Sequence, residues 1–340
     1  MDQESAISVD RDQEPFSIGE FRPEDAEGIV RLFLEIYGEG YPIRLFYDPK
    51  AIITANRDGE YLSIVARTDS GKVIGVNHLF HSAPFQGLYE TGVGLVSKQY
   101  RNSGANKRML TCLYETIVPA HPHMEQLFGQ PVCNHVFMQK TVESLGFRET
   151  GIEVALMPAE AFNREKSAAG RVATLNTFRC YVPKPHRIFL PGPYEAILRR
   201  IYDRLGDGRD FAPCRKIRGG EKTQSEGAFF DFAGVARFGF LKIGADFADR
   251  LNELEAQARS KGMVVSQASL NMNDACVGEA VDILRERGYF FGGPLPRWFD
   301  TDGLLMQKLD CPPDFEGIVL GSDFAKELLA FIREDRERVR

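Results

Sequence analysis

Residues 93–110 read VGLVSKQYRNSGANKRML. An apolar strand-like start runs into a polar loop that holds Gly104, and an amphipathic helix follows with Met109 and Leu110 on its apolar side. A junction of this kind gathers several unpaired backbone N–H groups and the positive end of a helix at one spot, which is what a pyrophosphate requires. Arg101 adds a cation at the mouth of the loop. An ordinary helix cap built on Asn102 or Ser103 uses the same residue types, so the flanking sequence has to decide between the two.

Upstream, residues 16–21 (FSIGEF) are short and partly alternating. Arg22-Pro23-Glu24-Asp25 then opens a helical pattern with Ile29, Leu32, Phe33 and Ile36 on one face. Proline and two acids suit the first turn of a helix. Residues 37–48 mix Gly38, Gly40 and Pro42 with Tyr37, Tyr41, Phe46 and Tyr47, an aromatic loop before a short helix begun by Asp48-Pro49. Strands are expected at 61–68 and 72–80, joined by the turn Asp69-Ser70-Gly71, and at 88–97 after Ala83-Pro84. Downstream come a helix over 104–117, an apolar strand around 124–132, a helix over 134–145 and a strand at 152–157. The order β-α-α-β-β-β-α-β-α-β is an α+β layout of mixed, mostly antiparallel sheet with flanking helices.

The chain has 340 residues, more than one hydrophobic core usually organises, so two domains are expected. Hydrophobic residues at 43% and charged residues at 26% are the balance of a globular protein able to bury a core. The net charge of -6 offers no basic field for a nucleic acid. Six cysteines lie far apart with no C-x-x-C pair, against a zinc or redox motif and for reduced thiols. Residues 1–14 are acidic, without the apolar run of a signal peptide, and no later stretch approaches a membrane span, so a cytoplasmic protein with no membrane partner is expected. No metal is expected either: His78 and His81 point to opposite faces of a strand, and His121-Pro122-His123 reads as an exposed loop.

The domain plan is a leader (1–14), a first domain (15–160), a linker (161–171), a second domain (172–312) and a C-terminal helix (313–340). The second half repeats the later part of the first. It has strands within 229–243, a helix over 247–261, a strand at 263–270, a helix over 275–287, and a strand at 304–309. In VESLGFRETGIEVALM and in LRERGYFFGG with LLMQKL, a helix ends on glycine, an aromatic follows, and a strand closes the unit.

Arg101-Asn102-Ser103-Gly104-Ala105-Asn106 resembles motif A of the GNAT superfamily of acyl-CoA N-acyltransferases, whose loop has the form Arg or Gln, two residues, Gly, one residue, Gly or Ala. Asn134-His135 and Glu143-Ser144-Leu145-Gly146-Phe147 resemble the family's closing helix and the strand after it. The resemblance covers about residues 16–157, with 172–312 a degenerate GNAT-like copy. It implies an N-acetyltransferase that uses acetyl-CoA or another acyl-CoA on a small-molecule or peptide amine. Leu95 and Val96 would pair with the pantetheine arm, Arg101, Asn102, Ser103, Gly104, Ala105, Asn106 and Lys107 would hold the pyrophosphate, and Asn134 or His135 would lie near the cofactor arm. Asn106 departs from the pattern where a second glycine is usual.

Glu90, eleven positions before Arg101 on the strand that leads into the loop, is placed like the family's carboxylate base, and apolar surroundings raise such a group's affinity for a proton; a solvated strand glutamate or a partner to a neighbouring arginine is the other reading. The acid is open: Val142 stands where many members have tyrosine, leaving Tyr89, Ser144, His135 or water. The aromatic set Tyr37, Tyr41, Phe46 and Tyr47 lies where the family builds its acceptor wall. In the second half, residues 242–247 (KIGADF) match the loop position but lack the arginine and offer an acid, so no coenzyme is expected there. Residues 292–298, with the sole tryptophan, either line a groove or pack between domains. A non-catalytic acyl-CoA sensor and an aminoacyl- or peptidyl-transferring tandem enzyme are the competing classes, and assembly as a homodimer stays open.

Overall fold

The computed structural model describes residues 13–158, 170–217 and 221–339. The expected leader, apart from residues 13 and 14, and the linker from 161 to 169 lie outside them. The chain divides into two compact units, Met1–Ser82 with Tyr89–Met124, and Ala83–Leu88 with Glu125–Arg340.

In the first unit, β1 (Phe16–Glu20), β2 (Tyr61–Thr68), β3 (Val73–Phe80) and β4 (Leu88–Val96) form an antiparallel meander in that order. The β2–β3 turn closes because Gly71 takes a left-handed φ of 86°, which the turn requires and a side chain resists. Helix α1 (Ala26–Tyr37) buries Ile29, Leu32, Phe33 and Ile36, the face expected from their spacing. It sits so close on β3 that a Cβ at Gly28 would lie 2.5 Å from Val73 Cγ2. Helix α2 (Pro49–Arg57) starts where Asp48 Oδ1 accepts from Lys50 N at 2.9 Å, with Pro49 in the first turn. Helix α3 (Ala105–Cys112) continues through one π turn into α4 (Val118–Ala120).

The second unit holds β5 (Gln126–Gly129), α5 (Phe137–Ser144), β6 (Arg148–Pro158) and β7 (Arg171–Cys180), followed by β8 (His186–Leu190), α6 (Glu195–Leu205) and β9 (Arg209–Pro213). Then come β10 (Gln224–Phe230), β11 (Val235–Lys242), α7 (Phe247–Ser260), β12 (Val265–Asn271), α8 (Val277–Glu286), β13 (Phe290–Leu295), β14 (Gly303–Leu309) and α9 (Asp323–Arg338). Residues 313–322, expected as helix, are irregular, and the final helix begins where Ser322 Oγ accepts from Ala325 N at 3.0 Å. No described helix is long and apolar enough to cross a membrane. The α+β class is as expected, with mixed sheets flanked by helices.

The expected domain boundary does not coincide with the division of the chain. Strand β7 starts at Arg171, the last residue of the expected linker, and pairs antiparallel with both β5 (Gln126↔Cys180) and β6 (Arg148↔Phe178). Backbone pairing outweighs the change in composition, and residues beyond the linker complete the sheet begun before it.

The repeat read from the sequence matched the strand at 152–157 with that at 304–309, but the strand placed like β14 is β7, and β6 is placed like β13. Strand β7 lies between β5 and β6, and β14 lies between β12 and β13. Helices α5 and α8 both stop on a left-handed glycine, Gly146 at φ 84° and Gly288 at φ 86°. In both, the next aromatic N–H reaches back five residues, Phe147 to Val142 and Tyr289 to Leu284, and the glycine N–H reaches back three. Phe147 and Tyr289 are then buried. Gly292 and Gly293, in the segment expected to line a groove, lie against β6: a Cβ at Gly151 would come 2.1 Å from Gly292 O. Trp298 packs edge-on to Phe128 at 5.6 Å.

Candidate functional site

The loop at the start of α3 contains two left-handed residues, Asn102 at φ 69° and Gly104 at φ 80°. Backbone in which such residues alternate with others curls its N–H groups around a concave centre suited to an anion. Part of the loop is spent on its own stiffness. Ser103 Oγ donates to Tyr100 O at 2.7 Å and accepts from Ala105 N at 3.3 Å, and Ser103 N donates to Tyr100 O at 3.2 Å. Helix α1 fastens the approach, with Glu35 Oε1 accepting from Lys98 N at 2.9 Å. The first turn of α3 contributes N–H groups that have no carbonyl inside the helix. Residues 98–108 carry Lys98, Arg101, Lys107 and Arg108 and no acid, a local cationic patch on a chain of net charge -6. Arg101, Asn102, Lys107 and Arg108 are exposed.

Asn106, the departure from the family pattern, has a structural task. Its Oδ1 accepts from Nδ2 of the buried Asn77 on β3 at 3.1 Å, so it ties the first turn of α3 to the sheet. Asn77 also meets β4 at a bulge. The register passes from Val76↔Leu95 to His78↔Gly92, two steps on β3 against three on β4, and Val93 takes a positive φ of 54°. Gly94 beside it has no room for a side chain, since a Cβ would lie 2.0 Å from Asn77 Oδ1. Leu95 is buried and Val96 half-buried, both past the bulge on the way to the loop. Neither Asn77 nor the bulge was found from the sequence. The pair Gly92 and Gly94 in a strand was the available signal.

Glu90 is half-buried on β4, and Ser82 Oγ donates to its Oε2. Its charge reaches two phenols. Burial pushes Tyr41 up, with Tyr37, Tyr61 and Glu90 adding to the shift, and burial followed by Glu90 does the same for Tyr61. The aromatic set packs together and on the core, with Phe46 itself buried. Tyr41 stacks near Tyr37 (4.9 Å) and Phe33 (5.1 Å), Tyr41 N donates to Tyr47 Oη at 2.9 Å, and Phe46 packs on Tyr61 at 5.5 Å. The fully buried His78 lies against Phe46 and Tyr61, its Nδ1 2.7 Å from Ser63 Oγ, and burial holds its pKa down to about 3. It is therefore neutral through the ordinary pH range. Ser82 and Tyr61 belong to the surroundings of Glu90, and sequence reasoning singled out neither.

The other expected residues are spread out. Tyr89 is buried on the strand position next to Glu90 and faces the opposite side of the meander, against His81 at 4.0 Å. Asn134 and His135 belong to the second unit, in the turn before α5 rather than in a helix. The His135 carbonyl accepts from Gln139 Nε2 at 3.0 Å, and its ring lies 5.4 Å from Phe137. Val142 is buried core, and Ser144 Oγ donates to Thr141 O of its own helix at 2.7 Å. Among the described residues no group of three or more His, Cys, Asp or Glu could hold a metal, and all six cysteines are free thiols.

The strand-to-helix junction of the second half is filled by the chain itself. Ala245 N donates to Glu221 O (3.1 Å), Gly244 N to Thr223 Oγ1 (3.1 Å) and Ile243 N to Asp274 Oδ2 (2.8 Å). A Cβ at Gly244 would lie 2.4 Å from Glu221 O. Strands β11 and β12 stay paired in parallel from Val235↔Val265 to Phe240↔Leu270, which leaves no slot for an extended ligand between them.

No family model and no curated protein matches the chain. Solved structures do. A ribosomal-protein-S18-alanine N-acetyltransferase from Escherichia coli is 14% identical, with a TM-score of 0.39 over 49% of this chain and 95% of its own. A GCN5-related N-acetyltransferase from Kribbella flavida is 17% identical, with a TM-score of 0.38 over 49% of this chain and 98% of its own. An N-acetyltransferase from Staphylococcus aureus is 13% identical, with a TM-score of 0.40 over 49% and 99%. These three similar structures are N-acetyltransferases. The likeness takes in half of this chain, and at such scores it assigns neither a substrate nor a site residue.

Proposed function

We propose that the chain is an acyl-CoA-dependent N-acyltransferase of the GNAT type, acting on a small-molecule or peptide amine by direct transfer. The observation that carries this reading is the stiffened loop at residues 101–107, with two left-handed residues, a helix start and a cationic run, 98–108, that contains no acid. Those features fit a diphosphate. Arg101 and Lys107 supply charge, and the N–H groups of the loop and of the first turn of α3 supply directed donors. The coenzyme, when bound, brings an acyl group activated as a thioester. Leu95 and Val96, beyond the bulge, are the backbone positions proposed for its arm.

Glu90 is proposed as the base that takes a proton from the attacking amine. Ser82 holds one carboxylate oxygen, and the wall of Tyr37, Tyr41 and Tyr61 shelters the other side from water and gives an amine's carbon skeleton something to pack on. With β7 in the first sheet, the part of the expected second copy that lies beyond it, residues 181–312, is read as degenerate, its loop plugged by residues 221–223. That copy serves as scaffold and takes no coenzyme. Tyr89 and His135 remain the proposed sources of the proton for the departing thiolate, and Asn134 the proposed neighbour of the cofactor arm.

A second reading, a non-catalytic acyl-CoA sensor, draws on the burial of Val142 where an acid would stand. The test is acceptor-dependent thiol release across a pH series with a screened amine. Under the enzyme reading Glu90→Gln keeps coenzyme affinity and loses roughly 100-fold to 10,000-fold in turnover, with the deficit shrinking as pH rises. Full activity in Glu90→Gln ends the base assignment, and a parent with no acceptor-dependent release in a broad amine screen favours the sensor.

A further inference from the structure

The first unit contains a cavity of about 510 Å³ that shares Tyr61 and Tyr89 with the groups proposed above but does not include Glu90. It lies at the start of β2 and the end of α2, with Tyr61, Leu62, Tyr89 and His121 in its wall and Glu20 and Arg57 at its rim. Its size is that of a site for a small organic molecule, and so is its make-up, an apolar and aromatic wall with a few placed polar groups. The wall is fixed in position. His81 stacks on Tyr89 at 4.0 Å, and Tyr61 is held by Phe46 and Phe80 at 5.5 and 5.3 Å.

The polar groups favour a ligand that donates. His121 Nδ1 lies 2.8 Å from the carbonyl of Ile117, which can only accept, so Nδ1 carries the proton and Nε2 is the ring's acceptor. Glu20 brings a carboxylate, while its own carbonyl is taken by Arg67 Nη2 at 2.6 Å. Among the described residues the cation at the rim is Arg57, and it is turned onto Asp58 through two bonds, Nε to Oδ1 at 2.8 Å and Nη2 to Oδ2 at 3.2 Å. A carboxylate, an imidazole acceptor and phenol rings around an apolar space select a positive charge on an apolar body, and aromatic faces attract a cation directly. We propose that this cavity is a binding site for a small arylalkyl ammonium ion, separate from Glu90. The site stands whether or not the chain transfers acyl groups, because it is read by binding alone.

The test is calorimetric titration of the full-length protein at pH 8 with 2-phenylethylamine, 2-phenylethanol and phenylacetate, which share a body and differ in charge. The ammonium should bind roughly 5-fold or more tighter than the alcohol, and phenylacetate should be weakest. Leu62→Trp fills the cavity and should abolish binding while leaving the melting temperature near the parent's. Glu20→Gln, an exposed change that spares the fold, should remove the preference for ammonium over alcohol. Glu90→Gln, whose charge reaches Tyr61, should weaken the ammonium by less than Glu20→Gln does and leave the alcohol unchanged. Equal binding of the three compounds, no binding at millimolar ligand, or ammonium binding that survives Leu62→Trp or disappears with Glu90→Gln would overturn the assignment.

Discussion

Gly94→Ala probes the link between the β4 bulge and the loop on α3. The residue's φ is not in the left-handed region, so alanine is tolerated by the backbone, and the whole effect comes from the Cβ, which would lie 2.0 Å from Asn77 Oδ1 and 2.9 Å from its Cγ. Asn77 is 3% exposed and cannot swing into solvent. Either it leaves its hydrogen bond to Asn106 or the bulge deforms. Overpacking of a core costs about 1–3 kcal/mol, and a lost internal hydrogen bond about 1 kcal/mol more, so Gly94→Ala should destabilise by about 2–4 kcal/mol. In an Asn77→Ala background the obstacle is gone, and Gly94→Ala should cost less than about 0.5 kcal/mol. The assay is a double-mutant cycle of urea melts, read with acetyl-CoA affinity for each variant. Costs that add across the cycle would refute the contact, and a stable Gly94→Ala protein with parental affinity would show that bulge and loop are not coupled.

Three further outcomes are expected. Gly104→Ala meets no atom within 4 Å yet holds φ at 80°, so it should cost about 1–2 kcal/mol of strain, with Gly104→Asn cheaper, as equilibrium melts can show. Asp25 and Arg67 form a buried pair with side chains 4% and 10% exposed, and removing one partner by Asp25→Ala should cost about 3–5 kcal/mol in the same measurement. Asp302 is fully buried with Arg209 Nε at 2.7 Å and His186 Nε2 at 3.2 Å. Burial alone would raise its pKa, but the His186 hydrogen bond and the Arg209 charge outweigh it and hold the carboxyl well below the usual carboxylate range. A carboxyl depressed on folding stabilises fully above its unfolded value of about 4 and loses that contribution as pH falls further, so Asp302→Asn should flatten the acid limb of the stability curve.

Much of the fold was legible where local chemistry and tertiary structure agree. The α1 face, the Asp69-Ser70-Gly71 turn and the glycine stops of α5 and α8 follow from side-chain period and from φ angles that only glycine takes easily. The domain boundary was not legible. Residues 161–171 change composition as a linker does, but strand pairing is non-local, and nothing in residues 171–180 announces that they lie between β5 and β6. The same limit applied at the site. Loop, helix start and Glu90 are consecutive and could be read, whereas Asn77, Ser82, Tyr61 and the cavity wall come together only through the register of the meander. The plug at residues 221–223 was foreshadowed by Asp246, whose Oδ1 accepts from Thr223 N at 2.7 Å, although the sequence indicated only that a phosphate would be unwelcome.

The most direct test of the central claim is calorimetric titration of the full-length protein with acetyl-CoA, beside a variant carrying Arg101→Ala and Lys107→Ala. One molecule bound per chain, with binding lost or greatly weakened in the variant, is the result expected if the loop of the first half holds the coenzyme and the second half is plugged. No binding at millimolar acetyl-CoA, two equivalents per chain, or equal affinity in the variant would contradict it.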